Sequence, residues 1–202
     1  MSTIFNYSRI KDTVSRANLP GQKGKVTPLD TITTFVTGTT GKYENGMAVK
    51  IVTDSNGIRR ATPIASNDTA DKVAGFIIQD LRGENTISQT QAFGAPRFIY
   101  EYANGVEVSV LSKGVIWVPV QDSGNITAGS AVYIRNAVDS NNIAKPIGGI
   151  ETATGTGNVK LTGAYFTGRV GYPLANQNNG TTTSAGLTGK TAEIVVELPL
   201  LA

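Results

Sequence analysis

Hydrophobic and polar residues alternate along most of the chain beyond residue 30, with the period of two that marks half-buried strands. Met47, Val49 and Ile51 alternate with Ala48, Lys50 and Val52. Asp54-Ser55-Asn56-Gly57 then turns the chain into Ile58–Thr62, which predicts a hairpin. Phe98, Tyr100 and Tyr102 share one face of a further strand, and Ala103-Asn104-Gly105 turns it into Val106, Val108 and Val110. Lys72–Gln79 (KVAGFIIQ) and Lys113–Val120 (KGVIWVPV) are apolar nearly throughout, as expected of strands covered on both faces. Pro119 marks a sheet edge, a bulge or the strand end. Ala131–Arg135 resumes the sheet, and Val159–Leu161 and Ala164–Val170 read as a pair of strands around Gly163. The last strand places Ala192, Ile194, Val196, Leu198 and Leu200 on one face and Glu193 and Glu197 on the other. About ten short strands at this spacing predict an all-β body over residues 31–202, a small β-barrel or β-sandwich. The lone Trp117, in the most apolar strand, is expected to pack in the core.

Two segments break the pattern. Residues 1–30 read as an extended N-terminal arm. Tyr7, Ile10, Val14 and Ala17 recur at helical spacing, Asn18-Leu19-Pro20-Gly21 stops that helix, and residues 21–30 read as an extended linker. Residues 174–190 (LANQNNGTTTSAGLTGK) are polar and Gly-rich, and read as a long flexible or partner-ordered loop. Charge separates the same parts. Residues 1–25 carry Arg9, Lys11, Arg16, Lys23 and Lys25 against Asp12 alone, a balance of +4, while the rest of the chain carries −1. A basic arm suits an acidic protein surface, a nucleic acid or a membrane surface.

Composition narrows the chemistry. With 40% hydrophobic and 16% charged residues the chain can bury a core, and its 23 glycines suit a protein of many turns. It contains no Cys and no His. Thiol nucleophiles, disulfides, the Ser-His-Asp triad and imidazole or thiolate metal sites are therefore excluded. No apolar run has signal-peptide or membrane-spanning length, so synthesis in a cytoplasm is expected.

The remaining motifs read as structure. Gly186-Leu187-Thr188-Gly189-Lys190-Thr191 ends like a phosphate-binding loop, but Ser184 stands where the motif needs Gly, and a strand follows in place of a helix. Asp68 and Asp71, and Asp80 and Glu84, are the closest carboxylate groups. Near neighbours at a strand entry rarely face each other across a cleft, so turn formation explains them better than glycosidase chemistry. Asp54-Ser55-Asn56-Gly57 and Asp139-Ser140-Asn141-Asn142 lack the later bidentate Glu of a Ca²⁺ loop. Beyond residue 25 basic residues are not interleaved with aromatics on a sheet face, so no direct DNA binding is expected. No enzyme activity, cofactor or metal is expected.

Val106–Arg135 reads VEVSVLSKGVIWVPVQDSGNITAGSAVYIR. A "VSVL-x-x-G" strand leads into alternating apolar residues, a loop, and an "I-x-A-G-x-x-V-Y" element. With the upstream KVAGFIIQ strand, this resembles the tailed-bacteriophage capsid cement, or decoration, proteins. Gly114 and Gly129 match turn positions of that pattern, and Trp117, Val118 and Val120 match apolar strand positions. The resemblance covers roughly residues 60–135, and the arm and Asn136–Ala202 depart from it. It implies a structural protein on the outer capsid surface of the virion, bound to the major capsid protein and to itself, as a homotrimer or else a homodimer. Arg9, Lys11, Arg16, Lys23 and Lys25 would then be the capsid-binding arm. The alternative is a head-fibre or receptor-binding adhesin recognising host surface or glycan through residues 174–190 and exposed aromatics such as Tyr100 and Tyr102.

Overall fold

The computed structural model describes residues 21–24, 30–40, 43–78, 86–87, 100–122, 124–138, 147–171 and 191–199. Within them the chain forms twelve strands and one short 3-10 turn, Ala70–Lys72. The strands are β1 (Thr31–Thr37), β2 (Tyr43–Glu44), β3 (Ala48–Thr53), β4 (Arg59–Pro63), β5 (Gly75–Ile77), β6 (Thr86–Ile87), β7 (Tyr100–Tyr102), β8 (Glu107–Pro119), β9 (Ala131–Arg135), β10 (Ile150–Glu151), β11 (Asn158–Gly171) and β12 (Thr191–Glu197). The fold is all-β, as the alternation predicts.

One long strand, β8, belongs to two rings. Strands β1, β4, β3, β5 and β8 pair in that order, and β1 pairs back onto β8, which closes a five-stranded barrel. The far half of β8 pairs with β12, followed by β11, β9 and β10. A single bridge between Val120 and Ile150, with Gln121 N–H donating to Ile150 O at 2.9 Å, brings β10 back to the end of β8. Closure removes the open edges on which sheets aggregate. A small third sheet orders β2, β7 and β6.

Each ring has its own core. Tyr43, Val49, Ala61, Ile77, Tyr102, Val108 and Val110 fill the barrel. Phe76, Leu111, Ile116, Val118, Val132, Ile134, Ile150, Leu161, Phe166, Ile194 and Val196 are among those that fill the second ring. Neighbouring residues of β3 (Ala48, Val49) and β5 (Phe76, Ile77) go to opposite cores, so these strands are the common wall. That is why KVAGFIIQ is apolar on both faces.

Strand β8 crosses from one core to the other through a bulge. Thr31 pairs with Lys113 but Ile32 pairs with Leu111, so one residue of β8 is extra. An extra residue exchanges the faces of every side chain beyond it. Leu111 therefore shares the second core with Ile116 and Val118, although the parity of its position differs. Gly114 adopts φ +139° beside this bulge, and a Cβ there would lie 2.6 Å from Asp30 Oδ1. The sequence pattern divides this region into two strands; the bulge makes them one.

The same correction applies at Gly163. Val159–Leu161 and Ala164–Val170 are not a hairpin pair but parts of the single strand β11. Its register shifts by a bulge between Lys160 and Tyr165. A Cβ on Gly163 would meet Glu197 O at 2.2 Å, so the glycine serves close approach to β12 rather than chain reversal. The β3–β4 hairpin forms as predicted, closed by Asp54, whose Oδ1 accepts from Asn56 N–H and Ile58 N–H.

Candidate functional site

A side-chain cluster lies beside β8 where the N-terminal segment pairs along its edge. Residues 21–24 (GQKG) have no apolar alternation, yet main-chain hydrogen bonds and an antiparallel bridge from Lys23 to Ile116 seat them on β8. Gly21 N–H donates to Trp117 O, Trp117 N–H to Gln22 O, and Gly24 N–H to Val115 O, each at 2.8 Å. Strand β12 occupies the other edge of β8 over these residues. The segment therefore lies on the edge that β1 takes further along, and acts as an added strand. Lys23 Nζ meets Asp30 Oδ2 at 2.6 Å, which ties the two ends of the 24–30 connection together over Gly114.

Trp117 is buried here, as expected, but its partners differ from the expectation. It belongs to neither apolar core. The register of β8 and β12 sets it opposite Glu193. Arg169, on β11, carries its guanidinium 5.7 Å from the ring centroid of Trp117 and donates from Nη1 to Glu193 Oε1 at 3.0 Å. Thr167 Oγ1 donates to Glu193 Oε2 at 2.9 Å. The alternation of β12 assigns Glu193 to a solvent face; the N-terminal segment, Arg169 and Thr167 bury it. Nothing in the sequence alone marks this cluster, because only the strand register brings residues 117, 169 and 193 together.

Of the five residues read as a binding arm, Arg9, Lys11, Arg16 and Lys25 lie outside the described residues. Lys23 is described, and its ammonium is engaged with Asp30 of the same chain. The predicted helix over residues 7–17 and the polar loop 174–190 also lie outside the described residues.

Other candidates resolve into structure. Tyr102 is not an exposed aromatic: it is buried in the barrel core, and its hydroxyl donates to Asn45 Oδ1 at 2.6 Å. This removes one support of the adhesin reading. Asp68 Oδ2 accepts from Ala65 N–H at 2.6 Å and from Lys50 Nζ at 2.7 Å, which is turn chemistry. Asp80 and Glu84 lie outside the described residues. At the far end of the second ring Arg135 and Glu151 form a buried ion pair, with Nε at 2.9 Å and Nη2 at 2.6 Å from Oε1. Asn158 Nδ2 donates to Oε2 of the same carboxylate. Among the described residues the larger exposed apolar side chains, Ile32, Val52, Ile58, Val138 and Tyr165, stand on different elements.

The described residues build two closed rings, an added N-terminal strand, and ion pairs used for architecture. The chain belongs to the phage structural cement proteins. The family model described as structural cement protein (E217 gp24/Pam3 gp6) matches residues 10–196. A chain of the capsid of Myoviridae Phage XM1 has the same fold, with a TM-score of 0.57 at 16% identity, over 92% of this chain and 93% of that one. No curated protein sequence matches. This is a bacteriophage capsid structural protein of the virion.

Proposed function

We propose that the protein binds the outer surface of the assembled head and stabilises it by bridging neighbouring subunits of the major capsid protein. It does so without making or breaking a covalent bond, and it acts as a homo-oligomer, a trimer in the first instance. Family membership supports the capsid-stabilising role. The observation that carries the bridging is the seating of residues 21–24 on β8. That strand addition gives residues 1–20 a fixed point of departure from the body, and they bring Arg9, Lys11 and Arg16. An arm held at one end loses less entropy on binding than a free peptide. Its charges steer docking, and many copies on a lattice turn weak contacts into firm attachment. Lys23 has a structural part in this reading, since it pins the base of the arm.

The test is removal of residues 1–20, with Gly21–Gly24 kept. The truncated protein should fold and decorate purified shells poorly. Full occupancy by the truncated protein sinks the arm, and shells that resist heat equally well without any of this protein sink the capsid-stabilising role.

A further inference from the structure

Asn-Gly occurs at Asn45-Gly46, Asn56-Gly57 and Asn104-Gly105 within the described residues, and the three are chemically identical dipeptides in different surroundings. We infer that Asn104 is a site of spontaneous covalent modification, deamidating through a succinimide while Asn45 and Asn56 are held back by the fold.

The reaction needs the backbone nitrogen of the following glycine to lose its proton and attack the Asn Cγ. Ammonia leaves as the five-membered imide closes. Water then opens the ring at either carbonyl, to aspartate or to isoaspartate, so an amide and a water become an acid and ammonia. A hydrogen bond that holds the attacking N–H, or packing that holds the amide, blocks the first step.

At Asn45 both blocks are present. Gly46 N–H donates to Ile77 O at 2.8 Å, and the side chain is buried, accepting from Tyr102. At Asn56 the nucleophile is held, since Gly57 N–H donates to Asp54 O at 3.0 Å. At Asn104 neither holds. Asn104 and Gly105 are exposed, and among the described residues Gly105 N–H makes no hydrogen bond. The space beside Gly105 is open, as it is beside Gly57, so the contrast with Asn56 rests on the hydrogen bond of the glycine N–H.

The turn is clamped from outside. Thr37 Oγ1 donates to Ala103 O at 2.9 Å and accepts from Val106 N–H at 3.1 Å, so the flanking residues are fixed and the two central ones stand clear. Modification would add one negative charge between β7 and β8. The isoaspartyl form would also insert a methylene into the backbone that Thr37 spans.

The experiment follows the full-length protein at mildly alkaline pH by peptide mapping and isoaspartate labelling, folded and in urea. In the folded protein Asn104 should convert several-fold faster than Asn56 and Asn45, and in urea the three rates should converge. N104Q should remove the modified peptide that maps to this turn and leave those of Asn45 and Asn56 unchanged. Equal rates in the folded protein, faster conversion at Asn45 or Asn56, or a difference that persists in urea would each overturn the inference.

Discussion

Arg169 stacks over Trp117 and bonds Glu193 with the same guanidinium, so a single side chain closes both the indole and the carboxylate beneath the N-terminal segment. The two partners are unequally covered. The Arg169 side chain is 65% exposed and that of Glu193 5%. Solvent screening therefore limits what the ion pair contributes, and the stacking adds a similar modest amount.

Replacing Arg169 with Ala should lower stability by about 1 kcal/mol, measured by urea unfolding. The chain has one Trp, so its emission reports on this site alone. Emission should shift to the red in the folded R169A protein, because the indole gains water when the guanidinium is gone. An unchanged spectrum would mean that the neighbouring backbone alone covers the ring.

Arg135 and Glu151 are each 3% exposed, and no comparable screening applies. Removing one partner strands a buried charge. R135M or E151L alone should each cost about 3 kcal/mol. The double substitution should cost much less than the sum, because no orphan charge remains. A double-mutant cycle in urea gives the coupling directly, and additive losses would show that the pair acts only by packing.

Stability should fall on acidification and stay level around neutrality. The Arg60 guanidinium beside Asp54, the Thr69 hydroxyl beside Asp71 and the Lys113 ammonium beside Glu197 hold these carboxyls below their ordinary range. Burial pushes Asp68 up, but its bonds from Lys50 and Ala65, with the charges of Lys50 and Lys72, outweigh that and leave it lowered. A carboxyl lowered in the folded state stabilises above its unfolded value, about 4, and that contribution is lost as pH falls through the folded value. At the alkaline end burial raises the Tyr43 hydroxyl, against the Gly38 hydrogen bond and the Arg60 charge. Stability from this group is lost above about pH 10. With no His, no imidazole step interrupts the range between. Melting temperature across pH should trace a plateau with a fall on the acid side beginning near 4, and a step between pH 5 and 8 would contradict this.

Much of the fold was legible where local chemistry and tertiary pairing agree. The turn at Asn56-Gly57 and the alternation on either side of it define β3 and β4, and Ala131–Arg135 is β9. The final strand buries Ala192, Ile194, Val196 and Leu198 as its pattern requires. Local chemistry misleads where one residue type serves two ends. A glycine with positive φ reverses a chain or relieves a bulge, and only the partner strand decides which. Gly114 and Gly163 both fell on the second side. The site was less legible than the fold. Trp117 stood out by composition, but Glu193 and Arg169 join it only through registers set between strands far apart in the chain. The pairing of residues 21–24 uses main-chain groups, which every sequence possesses.

Both rings close on β8, and this has a mechanical corollary. Neither half can be pried open without disturbing a wall of the other, so the molecule should yield as a unit. A tug directed along β8 loads its ladders in shear, where many bonds must rupture together instead of unzipping in turn. Under the proposed role, that resistance is available to whatever load the shell places along β8.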